Sequence, residues 1–236
     1  MEKTIFKNSQ DVIFGLSKKT DGDMKIWPDE SNVQATLNRK NFFSSKGINI
    51  SNVSSALVVH GDKVFVGVKT GACSYESYDA LISNTPGIIL AITAADCPPI
   101  YLFDYRNKVI ALVHSGWRGT VLNIVGKTID KMIFTYNSNP ADIQAYIGPR
   151  IQTCHFIVGP EVAKEFRGVC VEHNNGELHV NLASAINMQL LAASLAPRNI
   201  TISQFCTFCQ EEYFSHRRDK FSRVQAGIAY LGIRSQ

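Results

Sequence analysis

IILAITAADCPPIYLFDYRNKVIALVHSGWRGT, residues 88–120, is the stretch around which the chain is organised. Two apolar runs in it, 88–92 and 109–113, have the length and branched composition of buried strands. Each delivers a reactive side chain just past its end. The first leads to Asp96 and Cys97, with Pro98 and Pro99 behind them, and the second leads directly into His114 and a tight Ser-Gly-Trp-Arg-Gly loop. Loops fed by core strands are where a rigid scaffold displays chemistry, so this stretch reads as a site.

Working outward, 236 residues with 45% hydrophobic content and a mean hydropathy of −0.03 describe an ordinary globule able to bury a sizeable core. No apolar run approaches the roughly 20 residues of a membrane helix, and the start MEKTIFKNSQD lacks a secretory apolar core. The expectation is a cytoplasmic protein with no membrane partner. The net charge of +4 is mild, and its densest basic points, Lys18-Lys19, Arg39-Lys40 and Arg217-Arg218, form no stripe. That argues against a nucleic-acid surface and suits a small anion such as phosphate. Six cysteines without a secretory signal read as free thiols or metal ligands.

The remaining elements predict a single α+β domain over 1–236, with short strands mixed irregularly among three or four helices. Residues 5–27 read as short strands and turns, with Thr20-Asp21-Gly22-Asp23 as a turn signal. Asp29-Glu30-Ser31 opens a helix to about Ser44 whose apolar positions are Val33, Leu37 and Phe42, with Asn38-Arg39 on it. Residues 56–68 read as a hairpin or strand pair, 80–83 as a strand, and Thr85-Pro86-Gly87 as a turn. Val121, Ile124, Val125, Thr128, Ile129, Met132 and Ile133 give one apolar helical face, with Thr120 as its N-cap. Strands follow at 142–147, 200–203 and 225–233, and helices at 160–166 and 182–195, the latter capped by Asn181.

His60 follows its own apolar run, so His60, Cys97 and His114 share one placement at strand ends. Two imidazoles and a thiolate suit zinc, and three protein ligands leave one position open. The same atoms suit another chemistry, with Cys97 as nucleophile, His114 as base and Asp96 as orienter. Asp96 is adjacent to Cys97 and therefore points elsewhere, which weakens that triad. Arg118, at the entry to a strong helix, would seat an anion with help from free backbone N–H groups. Cys206-Thr-Phe-Cys209 has no second pair at zinc-site spacing and no HxE element as in zinc deaminases. It reads as structural or redox-sensitive. Residues 214–219, Phe-Ser-His-Arg-Arg-Asp, read as a solvated charge cluster or a lid.

Taken together, His60-Gly61, Thr93-Ala-Ala-Asp-Cys-Pro98, Asp104, the His114–Thr120 loop, Ile147-Gly-Pro149 with Cys154 and Val158, Cys206-Thr207 and the 214–219 segment occur in the order of a known family. The chain resembles the YfiH/YlmD, or laccase-domain, proteins, once described as multicopper polyphenol oxidases. The resemblance implies a zinc on His60, Cys97 and His114. It also implies a purine nucleoside enzyme that phosphorolyses adenosine, inosine and methylthioadenosine and deaminates adenosine. Arg118 and Arg39 are then the positions for phosphate or substrate, and Cys97, His114 and Arg118 the catalytic set. The competing expectations are a copper-dependent polyphenol oxidase and a cysteine hydrolase acting on peptidoglycan precursors. Six histidines without paired HxH spacing argue against several coppers. Oligomeric state is left open.

Overall fold

The protein is described by a computed structural model covering residue 6 and residues 9–26, 32–69, 71, 73–220 and 225–234. Two mixed sheets pack face to face. One has six strands, in the order Ile200–Ile202, Ile143–Ile147, Pro99–Asp104, Val109–His114, Ala80–Ser83 and Val64–Val66. Its outermost pairs are parallel and its central ones antiparallel. The other has five strands, in the order Val12–Leu16, Gly227–Ile233, Ile89–Ala94, Val53–Leu57 and Ser74–Glu76.

Side-chain alternation along the strands sorts the core into layers. From the six-stranded sheet, Tyr101, Phe103, Ile110 and Leu112 face Leu90, Ile92, Ala229 and Leu231 of the five-stranded sheet. The intervening positions Ile100, Leu102, Ala111 and Val113 pack instead on the helices Ile124–Tyr136 and Leu182–Ala192. The outer face of the five-stranded sheet, through Val53, Ile89, Ala91, Ile228 and Tyr230, is covered by Phe42 and Phe43 of the helix Val33–Ser45. The result is helix, sheet, sheet, helices: α+β, as expected. Because both faces of both sheets are covered, the strands read as continuous apolar runs. Each fully buried Leu, Ile or Phe contributes about 1.5–3 kcal/mol. A small third sheet, Ile157–Val158, Glu177–Val180 and Val171–Asn174, lies beside the helical layer.

Several local expectations are corrected. The run 56–68 is not a hairpin: Val53–Leu57 and Val64–Val66 belong to different sheets. The segment Pro99–Asp104, unforeseen behind its prolines, is a fully buried central strand. Proline is tolerated there because it is the first residue of the strand. On Val33–Ser45, Val33 and Leu37 are exposed and Ala35, Arg39, Phe42 and Phe43 are buried. The proposed opening at 29–31 lies outside the described residues, and Asn32 is the N-cap, its side chain accepting from the Ala35 N–H. The long helix begins at Ile124, not at Val121. Asn123 is left-handed at φ 58°, and it ends a separate five-residue turn, Trp117–Val121. Thr120 lies inside that turn, its hydroxyl bonded to the Ser115 and Gly116 carbonyls.

Candidate metal centre and cleft

His60 stands three residues beyond Val53–Leu57, in left-handed backbone at φ 62°. Cys97 lies in the turn that carries the chain from Ile89–Ala94 of one sheet to Pro99–Asp104 of the other. His114 ends Val109–His114, paired directly opposite Pro99. Both sheets thus present their ends at one corner. There the ligand atoms of His60, Cys97 and His114 lie within 4.8 Å of one another. His60 is exposed, Cys97 half-buried and His114 buried.

Asp79, which was not singled out from the sequence, holds this corner together. Its carboxylate is wholly buried and accepts the backbone N–H groups of Val59 (3.3 Å), His60 (2.9 Å) and Gly61 (2.8 Å). It also lies 2.9 Å from His114 Nδ1. That contact places a proton on Nδ1 and leaves Nε2 as the ligand atom, the usual carboxylate support of a metal-binding histidine. Burial raises the carboxyl pKa, but the bond and charge of His114 and the bonds from the Gly61 and Val59 N–H groups outweigh it, so Asp79 stays below the usual range. Burial likewise pushes the Cys97 thiol up, and the charge and hydrogen bonds of His114 and His60 reverse this to about 6. His114, which burial alone would lower, is raised to about 10 by the Cys97 and Asp79 charges.

Gly116 leaves the room a metal requires. A Cβ at that position would stand 3.0 Å from Cys97 Sγ, 3.4 Å from His60 Cδ2 and 3.6 Å from His114 Cε1. The three donors, the supported tautomer and this gap fit a cation with one position facing outward.

The corner is the floor of a cleft of about 580 Å³. Leu57, Val58, Phe156, Ile157 and Val158 supply apolar wall. Arg118 is on the rim, exposed, its guanidinium 4.2 Å from the Trp117 ring centroid. No hydrogen bond or ion pair engages it among the described residues. The anion seat expected at a long helix N-terminus is corrected, since Trp117–Val121 spans five residues and Ile124–Tyr136 begins afterwards. Arg118 itself carries the charge. Arg39 also lines the cleft but is buried, donating from Nε to the Met24 carbonyl (2.6 Å) and from Nη1 to Ser55 Oγ (3.1 Å). Burial lowers its pKa to about 10.

Asp96 points away from Cys97, as its adjacency required. Its oxygens accept from Thr207 Oγ1 (2.6 Å), Ser215 Oγ (3.1 Å) and the Arg217 N–H (2.7 Å). The 214–219 segment is therefore tied down rather than loose, although His216 is exposed, and His216 and Arg217 line the cleft. Arg218 donates to the Thr207, Phe208 and Tyr213 carbonyls and pairs with Asp219, and Arg217 donates to the His155 and Ile157 carbonyls. Cys206 and Cys209 do not stand alone either. Cys154 and His155 join them in a second donor group, none of whose members lines the cleft.

A corner of three donors that could hold a metal, set between two mixed sheets and open to a cleft, defines the class of α+β protein to which this chain belongs. A family model described as multi-copper polyphenol oxidoreductase laccase matches residues 17–231, and the chain belongs to that laccase-domain family, which includes the YfiH and YlmD proteins. It is 36% identical over 161 residues to a purine nucleoside phosphorylase of Bacteroides thetaiotaomicron, covering 64% of this chain and 60% of that one. It is 34% identical over 167 residues to the adenosine deaminase RL5 of an unidentified prokaryote, covering 67% and 62%. The crystal structure of Bacillus licheniformis YfiH superposes with a TM-score of 0.89 at 25% identity, over 98% of this chain and 96% of that one. The matches to these two enzymes span about three fifths of their length. Among the described residues, no helix is long and apolar enough to cross a membrane.

Proposed function

We propose that this chain is a zinc-dependent purine nucleoside phosphorylase acting on adenosine, inosine and methylthioadenosine, with adenosine deaminase as a side activity. The observation that carries the reading is the open corner of His60, Cys97 and His114 at the floor of a largely apolar cleft with Arg118 on its rim. Relatives named for both activities support it.

Zinc held by the three donors would supply Lewis acidity at the cleft floor. Asp79 keeps His114 in the ligating tautomer, and the buried position of His114 keeps the ring from turning. The apolar wall of Phe156, Ile157 and Val158 seats a purine face and keeps bulk water from the ribose. Arg118 holds phosphate as a charge-assisted partner. A phosphate oxygen then attacks C1′ of the ribose, the C1′–N9 bond breaks, and its electron pair leaves with the purine, yielding ribose 1-phosphate. Arg39 ties the helix Val33–Ser45 to the cleft through two of its five N–H donors, and the others are where it would meet substrate. The test is incubation of fully metallated protein with adenosine or inosine, with and without phosphate. Phosphate-dependent ribose 1-phosphate is expected, and its absence would sink the phosphorylase reading.

One observation favours a second reading. Cys97, His114 and Asp79 form a thiolate–imidazole–carboxylate chain, with Asp79 in the orienting place first assigned to Asp96. A cysteine hydrolase would need that order. Cys97→Ser separates the two: loss of one zinc equivalent relative to the native chain together with lost turnover marks a ligand, whereas an unchanged zinc content with no turnover marks a nucleophile.

A further inference from the structure

We propose that Cys154, His155, Cys206 and Cys209 form a second metal site, a closed structural zinc centre that clamps two loops behind the cleft wall. Cys154 and His155 lie in the loop after Ile143–Ile147, and Cys206 and Cys209 in the loop after Ile200–Ile202. Those two strands pair in parallel, which brings their following loops side by side.

The two S···S distances match a tetrahedron, and the two S···N distances are shorter than its edges. With Zn–S near 2.3 Å and Zn–N near 2.0–2.1 Å, a regular site has S···S edges of about 3.8 Å and S···N edges of about 3.6 Å. Cys154 Sγ lies 3.7 Å from Cys206 Sγ and 3.8 Å from Cys209 Sγ. His155 Nδ1 lies 3.1 Å from Cys154 Sγ and 3.4 Å from Cys209 Sγ. All four ligand atoms fall within 4.8 Å of one another. Cys154 is almost equidistant from its two sulfur neighbours, so it favours neither as a disulfide partner, and a disulfide would leave one thiol over.

The surroundings are those of ligands. The Gln152 N–H donates to Cys206 Sγ at 3.4 Å, and the backbone N–H groups of Phe208 and Cys209 bond to the same sulfur. Three backbone N–H donors thus converge on one sulfur. The His155 ring is stacked on Phe208, with centroids 3.9 Å apart and planes 16° from parallel, which fixes the edge it presents to the sulfurs. A set of three thiolates and one imidazole leaves zinc no open position, so this site stabilises and does no chemistry. Its place explains what it stabilises. Arg217 donates to the His155 and Ile157 carbonyls, and Phe156, Ile157 and Val158 form cleft wall.

The test is zinc per chain, measured on protein purified under reducing conditions, and cobalt substitution. Two equivalents are expected in the native chain. Cys154→Ser and Cys209→Ser should each lose one and keep the other. Cys97→Ser should lose the other equivalent and still bind cobalt with the intense thiolate charge-transfer and tetrahedral visible bands of a three-sulfur site. That variant leaves the second cluster untouched, so it decides the matter even if the cluster variants fail to fold. A folded Cys97→Ser protein that binds no zinc and gives no such cobalt spectrum overturns the proposal. So does a disulfide among Cys154, Cys206 and Cys209 in the mass of unreduced protein.

Discussion

The chain gathers cysteine and histidine at two corners, and they differ in what surrounds the donors. His60, Cys97 and His114 number three, come from both sheets, line a cleft, and have Gly116 beside them where a Cβ would crowd all three. Cys154, His155, Cys206 and Cys209 number four, come from two adjacent loops, and face no cleft. The first set has a buried carboxylate behind it that bonds a ligand imidazole, and the second has backbone N–H groups that converge on one sulfur. On the proposals above, similar side chains would serve opposite ends: an incomplete shell beside a cavity acting on a substrate, and a complete shell on a loop pair holding chain.

The strongest way to break this comparison is to fill the gap at the open corner. Gly116→Val places methyl groups where a Cβ alone would already stand 3.0 Å from Cys97 Sγ. Turnover should fall at least ~100-fold, about 2.7 kcal/mol of lost transition-state stabilisation. The open corner should lose its metal, while the Cys154 cluster keeps its own. Retained metal at both sites with normal turnover would show that Gly116 only serves the turn. Next in size is Asp79→Asn. Loss of such a carboxylate behind a metal-binding histidine typically costs 10–100-fold in affinity or activity. Zinc competition should place the loss at the open corner alone. An unchanged affinity there would remove Asp79 from the supporting role.

How legible the two corners were in the sequence follows the same divide. His60, Cys97 and His114 stood out because each follows an apolar run, and strand ends are local features. Asp79 did not, because a single aspartate before the short strand Ala80–Ser83 carries no pattern; its role comes from three N–H groups of a distant loop. The pairing of Cys154-His155 with Cys206-x-x-Cys209 was also hidden. It depends on the parallel register of Ile143–Ile147 with Ile200–Ile202, and no local period encodes a long-range pairing. The α+β class was readable from the mixture of elements, but the sheet order was not. The helix start was misread because the apolar period runs through Val121 without registering the left-handed Asn123.

Arg118→Ala sharpens the comparison at the rim. The side chain is exposed and has no hydrogen-bond or ion-pair partner among the described residues, so its loss should leave the fold and both metals intact. If it holds phosphate, KM for phosphate should rise roughly 10-fold, the worth of one charge-assisted contact, with kcat for the deaminase reaction unchanged. A parallel loss in the phosphate-independent reaction would mean that Arg118 shapes the cleft instead.

The smallest effect concerns the knot between the two corners. Burial raises the Asp219 pKa, but bonds from Arg218, Lys19 and the Ser215 N–H outweigh it and hold the carboxyl at about 2. A depressed carboxyl pKa gives stability that is fully present above the unfolded value of about 4 and is lost as pH falls through the folded one. Screening by solvent limits the contribution to roughly 1 kcal/mol at neutral pH. Arg218 also holds the Thr207 and Phe208 carbonyls, so this charge pair steadies the loop carrying Cys206 and Cys209, and through Ser215 and Thr207 it reaches Asp96 beside Cys97. Asp219→Asn should lower the melting temperature at pH 7 by a few degrees, with the gap to the native chain narrowing between pH 4 and 3. A gap that stays constant over that interval would assign the loss to packing and leave the ion pair without weight.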